Sequence, residues 1–199
     1  MSRPHLLAAG DPELAPSADP RRSRRRILEA DLSGGRQLAA AERVLDLLDE
    51  HGAALAERSN AAGHLTGSAL VVDHTGTRTL LMLHTKLGRW LQPGGHADGD
   101  HELAGVALKE ATEETGIEGL RVRVPAVDID LHLVDHGDAL GEHLHLDLRF
   151  VVVAPPDAVE KRNHESRELR WVTMDELCAL AEDDSVRRLA RLGLGPSTG

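Results

Sequence analysis

The segment Gly94-Gly95-His96-Ala97-Asp98-Gly99-Asp100-His101-Glu102-Leu103-Ala104-Gly105-Val106-Ala107-Leu108-Lys109-Glu110-Ala111-Thr112-Glu113-Glu114-Thr115-Gly116-Ile117 opens on a glycine pair and closes on another glycine. From about His101 to Thr115 it reads as one helix, with Gly116 in the position just past its end. Glu110, Glu113 and Glu114 then stand at i, i+3 and i+4, so their carboxylates converge on one face, while Leu103, Ala107 and Ala111 form a face that can lie close on a sheet. Like charges at this spacing cost a few tenths of a kcal/mol per pair. A hard divalent cation offsets that cost, because magnesium takes oxygen ligands and binds through one or two carboxylates plus substrate phosphates. The competing explanation is an ordinary amphipathic helix with a glutamate-rich solvent face.

Outward from this helix the period changes to strands. Ser68 to Asp73, the turn His74-Thr75-Gly76-Thr77, and Thr79 to His84 make a hairpin signature. Two later stretches alternate sharply: Asp128, Asp130 and His132 share one face, and so do His143, His145, Asp147 and Arg149, with apolar residues behind both. The face bearing His143 and His145 has three readings: lining a pocket, touching substrate, or holding a second metal. A loop from about Ala154 to Arg167 leads to the strand Glu168 to Val172, and Met174 to about Leu192 reads as a closing helix. On the N-terminal side, residues 1–25 read as a flexible tail, the Arg21-to-Arg26 run as a solvated helix start, and Arg36 to about Glu57 as a helix covering one side.

At 199 residues the chain fits one domain. A formal charge of -10 argues against a protein that grips nucleic acid by neutralising phosphates, and implies that cations must be imported to handle them. Cys178 stands alone in an apolar setting and reads as a buried thiol. No apolar run approaches the ~20 residues needed to cross a bilayer, so a cytoplasmic protein without a membrane partner is expected.

The glycine pair, the acidic loop and the helix ending K-E-A-T-E-E-T-G-I resemble the box of the Nudix hydrolase superfamily, G-x5-E-x7-R-E-U-x-E-E-x-G-U. Counted from Gly95, the match holds at Glu110, Glu113, Glu114, Gly116 and Ile117, with Ala111 small for its position. His101, flanked by Asp100 and Glu102, stands where the first glutamate belongs, and Lys109 replaces the arginine; a loop one residue shorter would let Asp100 cap the helix and pair with Lys109. Gly63 to Thr66, the hairpin and Glu165 to Val172 extend the resemblance over roughly residues 60–190.

The resemblance implies an α/β fold, a Nudix-type α/β/α sandwich around a mixed sheet spanning residues 61–199, with residues 26–60 as an added helical extension. It implies metal-dependent attack of water on a diphosphate linkage in a nucleoside-diphosphate-like small molecule. Mg2+, with Mn2+ as a substitute, would be held by Glu110, Glu113 and Glu114. Glu113, Glu114 and Glu165 are the candidate catalytic residues, Glu165 as a late-loop general base in preference to Glu160. Gly94, Gly95, His96, His143 and His145 are the candidate substrate contacts, and a homodimer is the family-based expectation. The alternatives are a catalytically silent nucleotide-binding module and an isomerase of the same superfamily; Cys178, in the last helix, disfavours the second.

Overall fold

The computed structural model describes residues 4–134 and 142–195. Strands β2 (His64–Val72) and β3 (Thr79–His84) form the expected hairpin. Its turn is closed by Asp73, whose Oδ1 accepts from the Thr77 and Arg78 amides at 3.0 and 3.2 Å, a side-chain mimic of a backbone turn. β2 begins at His64, earlier than its alternation suggests, because it is a central strand buried on both faces. It pairs in parallel with β7 (His143–Val153), from His64 opposite His145 to Val72 opposite Val153. The other pairings described are antiparallel: β1 (His5–Ala8) with β6 (Arg121–Val134), β6 with β7, β4 (Trp90–Leu91) and β8 (Ser166–Val172) with β3, and β5 (Gly94–His96) with β2. The sheet is therefore mixed.

Helices cover both faces. Leu65, Ala69, Leu80 and Phe150 pack under α1 (Pro20–Glu29), α2 (Gly35–His51) and α3 (Leu103–Thr115), whereas Leu70, Leu81 and Val151 pack under α4 (Met174–Leu180) and α5 (Asp184–Gly193). This is the α/β/α sandwich that the sequence implies. α3 lies so close to β2 that a Cβ on Gly67 would stand 2.8 Å from the Leu103 carbonyl oxygen and 3.1 Å from the Ala107 nitrogen. Both are backbone atoms and neither can swing aside. Gly67→Ala is thus expected to cost roughly 1–3 kcal/mol as overpacking, a drop in melting temperature of about 2–12 °C for a chain of this size. A melting temperature within a degree of the wild type would show that α3 can withdraw from β2 freely.

The two ends of the chain correct four expectations. Residues 5–8, read as part of a tail, pair with Arg121–Val124 as an edge strand. The arginine run is not a solvated helix start: Arg26 is 2 % exposed and bonds Glu102, while Asp19 caps α1 by accepting from the Arg21 amide. The closing helix is two helices, because Asp183 accepts from the Ser185 amide and starts α5 anew. Cys178 is partly exposed, so it is not the buried thiol expected. No helix among the described residues is long and apolar enough to cross a membrane.

Candidate active site

α3 ends where Gly116 takes a left-handed conformation at φ 65° and returns its amide to the Thr112 carbonyl. Its apolar side, Leu103, Ala104, Ala107 and Ala111, is fully buried on the sheet, which turns Glu110 and Glu114 toward β5. The Gly94 N–H donates to Glu114 Oε2 at 3.0 Å. A Cβ on Gly95 would fall 2.4 Å from the Glu110 carboxyl carbon, so glycine is what lets that carboxylate approach the strand. Gly94 and Gly95 accordingly touch the carboxylates themselves.

Glu114 is 5 % exposed. Burial first, and then the Glu165 carboxyl hydrogen-bonded to it, push its pKa up to about 9 against the opposing pull of the Gly94 amide. Burial also raises Glu110; Lys109, its Nζ 3.4 Å from Glu110 Oε1, works against this, and Glu113 and Glu165 add to it. Glu165 comes from the loop before β8 and keeps 43 % of its side chain exposed. The other late-loop candidate, Glu160, is engaged elsewhere: it accepts from the Trp171 indole at 3.0 Å. Glu113 departs from the trio. It is 57 % exposed and faces Lys109 at 3.8 Å, on the outer side of the helix.

The residues at and beside the position of the first box glutamate all turn toward the N-terminal segment. Asp100 accepts from the Ser17 and Glu102 amides, both at 2.9 Å, so it turns the chain into α3, while Lys109 takes Glu110 and Glu113 as partners in place of the expected Asp100. His101 lies 2.6 Å from Ser23 Oγ and 3.2 Å from the Ala53 carbonyl. Glu102 is wholly buried and bonds Arg26 at 2.6 Å and Arg22 at 2.9 Å.

On the opposite face of the sheet, register does what spacing could not show. His64 opposes His145, which opposes His132 on β6, and Thr66 opposes His96. His64, His96, His143 and His145 therefore meet, with ring centroids 4.9 to 5.1 Å apart in the pairs that touch. Burial chiefly, with the mutual repulsion of neighbouring positive rings, lowers His64 to about 4 and His145 to about 2; both are neutral at pH 7. Beyond them Arg149 bonds Asp147 at 2.7 Å and Asp130 at 3.0 Å, and Arg188 bonds Asp128 and Asp130 at 2.9 and 2.7 Å. Burial alone would raise Asp130, but His132, Arg149, Arg188 and Ser185 hold it well below the carboxylate range. This network is a set of paired charges under α5, joined from outside by Arg36, 3.2 Å from Asp130.

A model of the NUDIX domain matches residues 63–192. This chain belongs to the NUDIX family. It is similar, at 29 % identity over 147 residues, to a CMP-5'-(N-acetyl-N-hydroxy-3-aminopropyl)phosphonate hydrolase of Streptomyces rubellomurinus; the match covers 65 % of each chain. A Mycobacterium tuberculosis protein provisionally named 8-oxo-dGTP diphosphatase 3 is 30 % identical over 111 residues, which cover 53 % of this chain and 49 % of that one. This Nudix chain thus spans 65 % and 49 % of the length of these two relatives. The fold is that of an E. coli dihydroneopterin triphosphate pyrophosphohydrolase, with a TM-score of 0.53 at 14 % identity over 64 % of this chain and 92 % of the other.

Proposed function

We propose that this Nudix chain hydrolyses a diphosphate linkage in a nucleoside-diphosphate-like small molecule, with a divalent metal, Mg2+ or in its place Mn2+. The observation that carries the reading is Glu114, a carboxyl buried against Gly94 and beside two further carboxyls, Glu110 and Glu165, with burial and Glu165 both opposing its ionisation. Such a group ionises at neutral pH only when a cation joins it, and an all-oxygen donor set suits a hard ion. Glu110 and Glu114 would hold the metal, and Glu113, turned outward, would serve at most as an auxiliary. Bound there, Mg2+ would polarise the phosphoryl oxygens and lower the pKa of the attacking water.

The protein groups divide the remaining work. The Gly94 amide fixes one oxygen of Glu114, and the close approach at Gly95 fixes Glu110. Glu165 has an open side and would accept the proton of the water as its oxygen attacks phosphorus and the bond to the bridging oxygen breaks. The named activities of the two relatives, on a CMP-linked phosphonate and on 8-oxo-dGTP, support a nucleotide as the attached group.

The test is product analysis on nucleoside diphosphate sugars, dinucleoside polyphosphates, nucleoside triphosphates and a CMP-linked phosphonate, with Mg2+, with Mn2+ and with chelator. Turnover that chelator abolishes is expected, and Glu165→Gln should lower kcat by roughly 10²- to 10⁴-fold, the usual contribution of a general base. Nucleotide binding without turnover on any member of the panel would favour the silent module.

A further inference from the structure

We propose that His64, His96, His143 and His145 form a second metal centre, separate from the carboxylates, that selects a transition ion of the Zn2+ class. Each ring offers a nitrogen, and these atoms all lie within 4.8 Å of one another. His143 Nε2 and His145 Nε2 are already 3.2 Å apart. Four nitrogens at about 2.0–2.1 Å around a tetrahedral zinc stand ~3.4 Å from each other, so small side-chain rotations close the shell. The donors come from β2, β5 and β7, strands locked in one register, which is the kind of platform that holds ligands in place.

The strongest observation is His64. It is wholly buried, and among the described residues neither of its ring nitrogens has a hydrogen-bond partner. A histidine retained for packing alone keeps at least one bond, since an orphaned buried polar group is costly. Its neighbours across the group are three more imidazoles. Four imidazole rings facing one point bind Zn2+, Ni2+ or Cu2+ well and Mg2+ poorly, because hard ions require oxygen. The carboxylate nearest along β7, Asp147, is engaged by Thr66, Ser68 and Arg149 and offers no such oxygen.

The centre has a structural consequence. β5 presents Gly94 to Glu114, Gly95 to Glu110 and His96 to the imidazoles. An ion on His96 would therefore tie the strand that positions the carboxylates to β2 and β7.

Full-length protein stripped of metal would be titrated with Zn2+ against a chromophoric chelator in a large excess of Mg2+, and separately with Co2+ to record its visible spectrum. One equivalent of Zn2+ per chain, undisturbed by Mg2+, is expected, with an intense tetrahedral Co2+ band and a rise in melting temperature of about 5–15 °C. His64→Asn and the less buried His143→Asn should each weaken binding by ~100-fold or more, and Glu114→Gln should leave it unchanged. Displacement by Mg2+, loss of Zn2+ in Glu114→Gln, retention in His143→Asn, or no binding by the wild type would each overturn the proposal. Should both histidine variants fail to fold, the wild-type Co2+ spectrum decides: a weak octahedral band in place of the intense tetrahedral one rejects the site.

Discussion

Glu114→Gln is expected to lower metal-dependent turnover by ~10²- to 10³-fold, the scale of losing one preorganised electrostatic stabiliser, and at the same time to raise the melting temperature of the metal-free protein above neutral pH. Glutamine keeps an amide oxygen for the Gly94 N–H and removes the charge that burial and Glu165 oppose. The folded carboxyl titrates near 9 where the ordinary value is 4.5. Between those values the folded state holds a proton that the unfolded chain has released, so this group's contribution is fully present below about 4.5 and fades as pH rises through about 9. The variant has no such proton to lose. Melting curves of wild type and variant should coincide near pH 4 and separate as pH rises, by about 2–8 °C at pH 9 if the group accounts for roughly 1–2 kcal/mol. Saturating Mg2+ should shrink that gap, because bound metal stabilises only the wild type's folded form. Unchanged turnover, or parallel melting curves across the range, would remove Glu114 from the site.

The carboxylate helix is readable because its information is local. Glycines, apolar spacing and acidic spacing all lie within one segment, and the two alternating strands declare their faces in the same way. What the spacing could not resolve is the fate of Glu113. At about 100° per residue Glu114 sits roughly 40° to one side of Glu110 and Glu113 roughly 60° to the other. β5 takes the Glu114 side, and Glu113 is left to Lys109. The histidine group shows a stronger limit. His143 and His145 are visible as a pair on one strand, but His64 joins them only through the parallel pairing of β2 with β7, and His96 only through β5. Nothing in the sequence near His64 announces either register. β1 is invisible for a related reason: four residues carry no period, and only β6 makes them a strand.

Arg26→Ala is expected to produce the largest loss of stability, about 3–5 kcal/mol, because it strands a buried charge. Arg26 and Glu102 are 2 % and 0 % exposed, their side chains 2.6 Å apart. Burial already raises the Glu102 pKa, and Arg26, then Arg22 and Arg25, pull against it; with Arg26 gone, burial dominates further. The melting temperature should fall by roughly 6–20 °C. The double variant Arg26→Met with Glu102→Leu should recover much of the loss, since removing both partners of a buried pair leaves neither charge uncompensated. A loss below about 1 kcal/mol in Arg26→Ala would instead class the pair with exposed ion pairs and detach α1 from α3. The pair also bears on the chemistry. Glu102 stands at the N-terminal boundary of α3, beside the position where a Nudix box carries its first glutamate, yet its carboxylate is spent on Arg26 and Arg22. Glu102→Gln should therefore lower the melting temperature while the metal requirement of turnover persists.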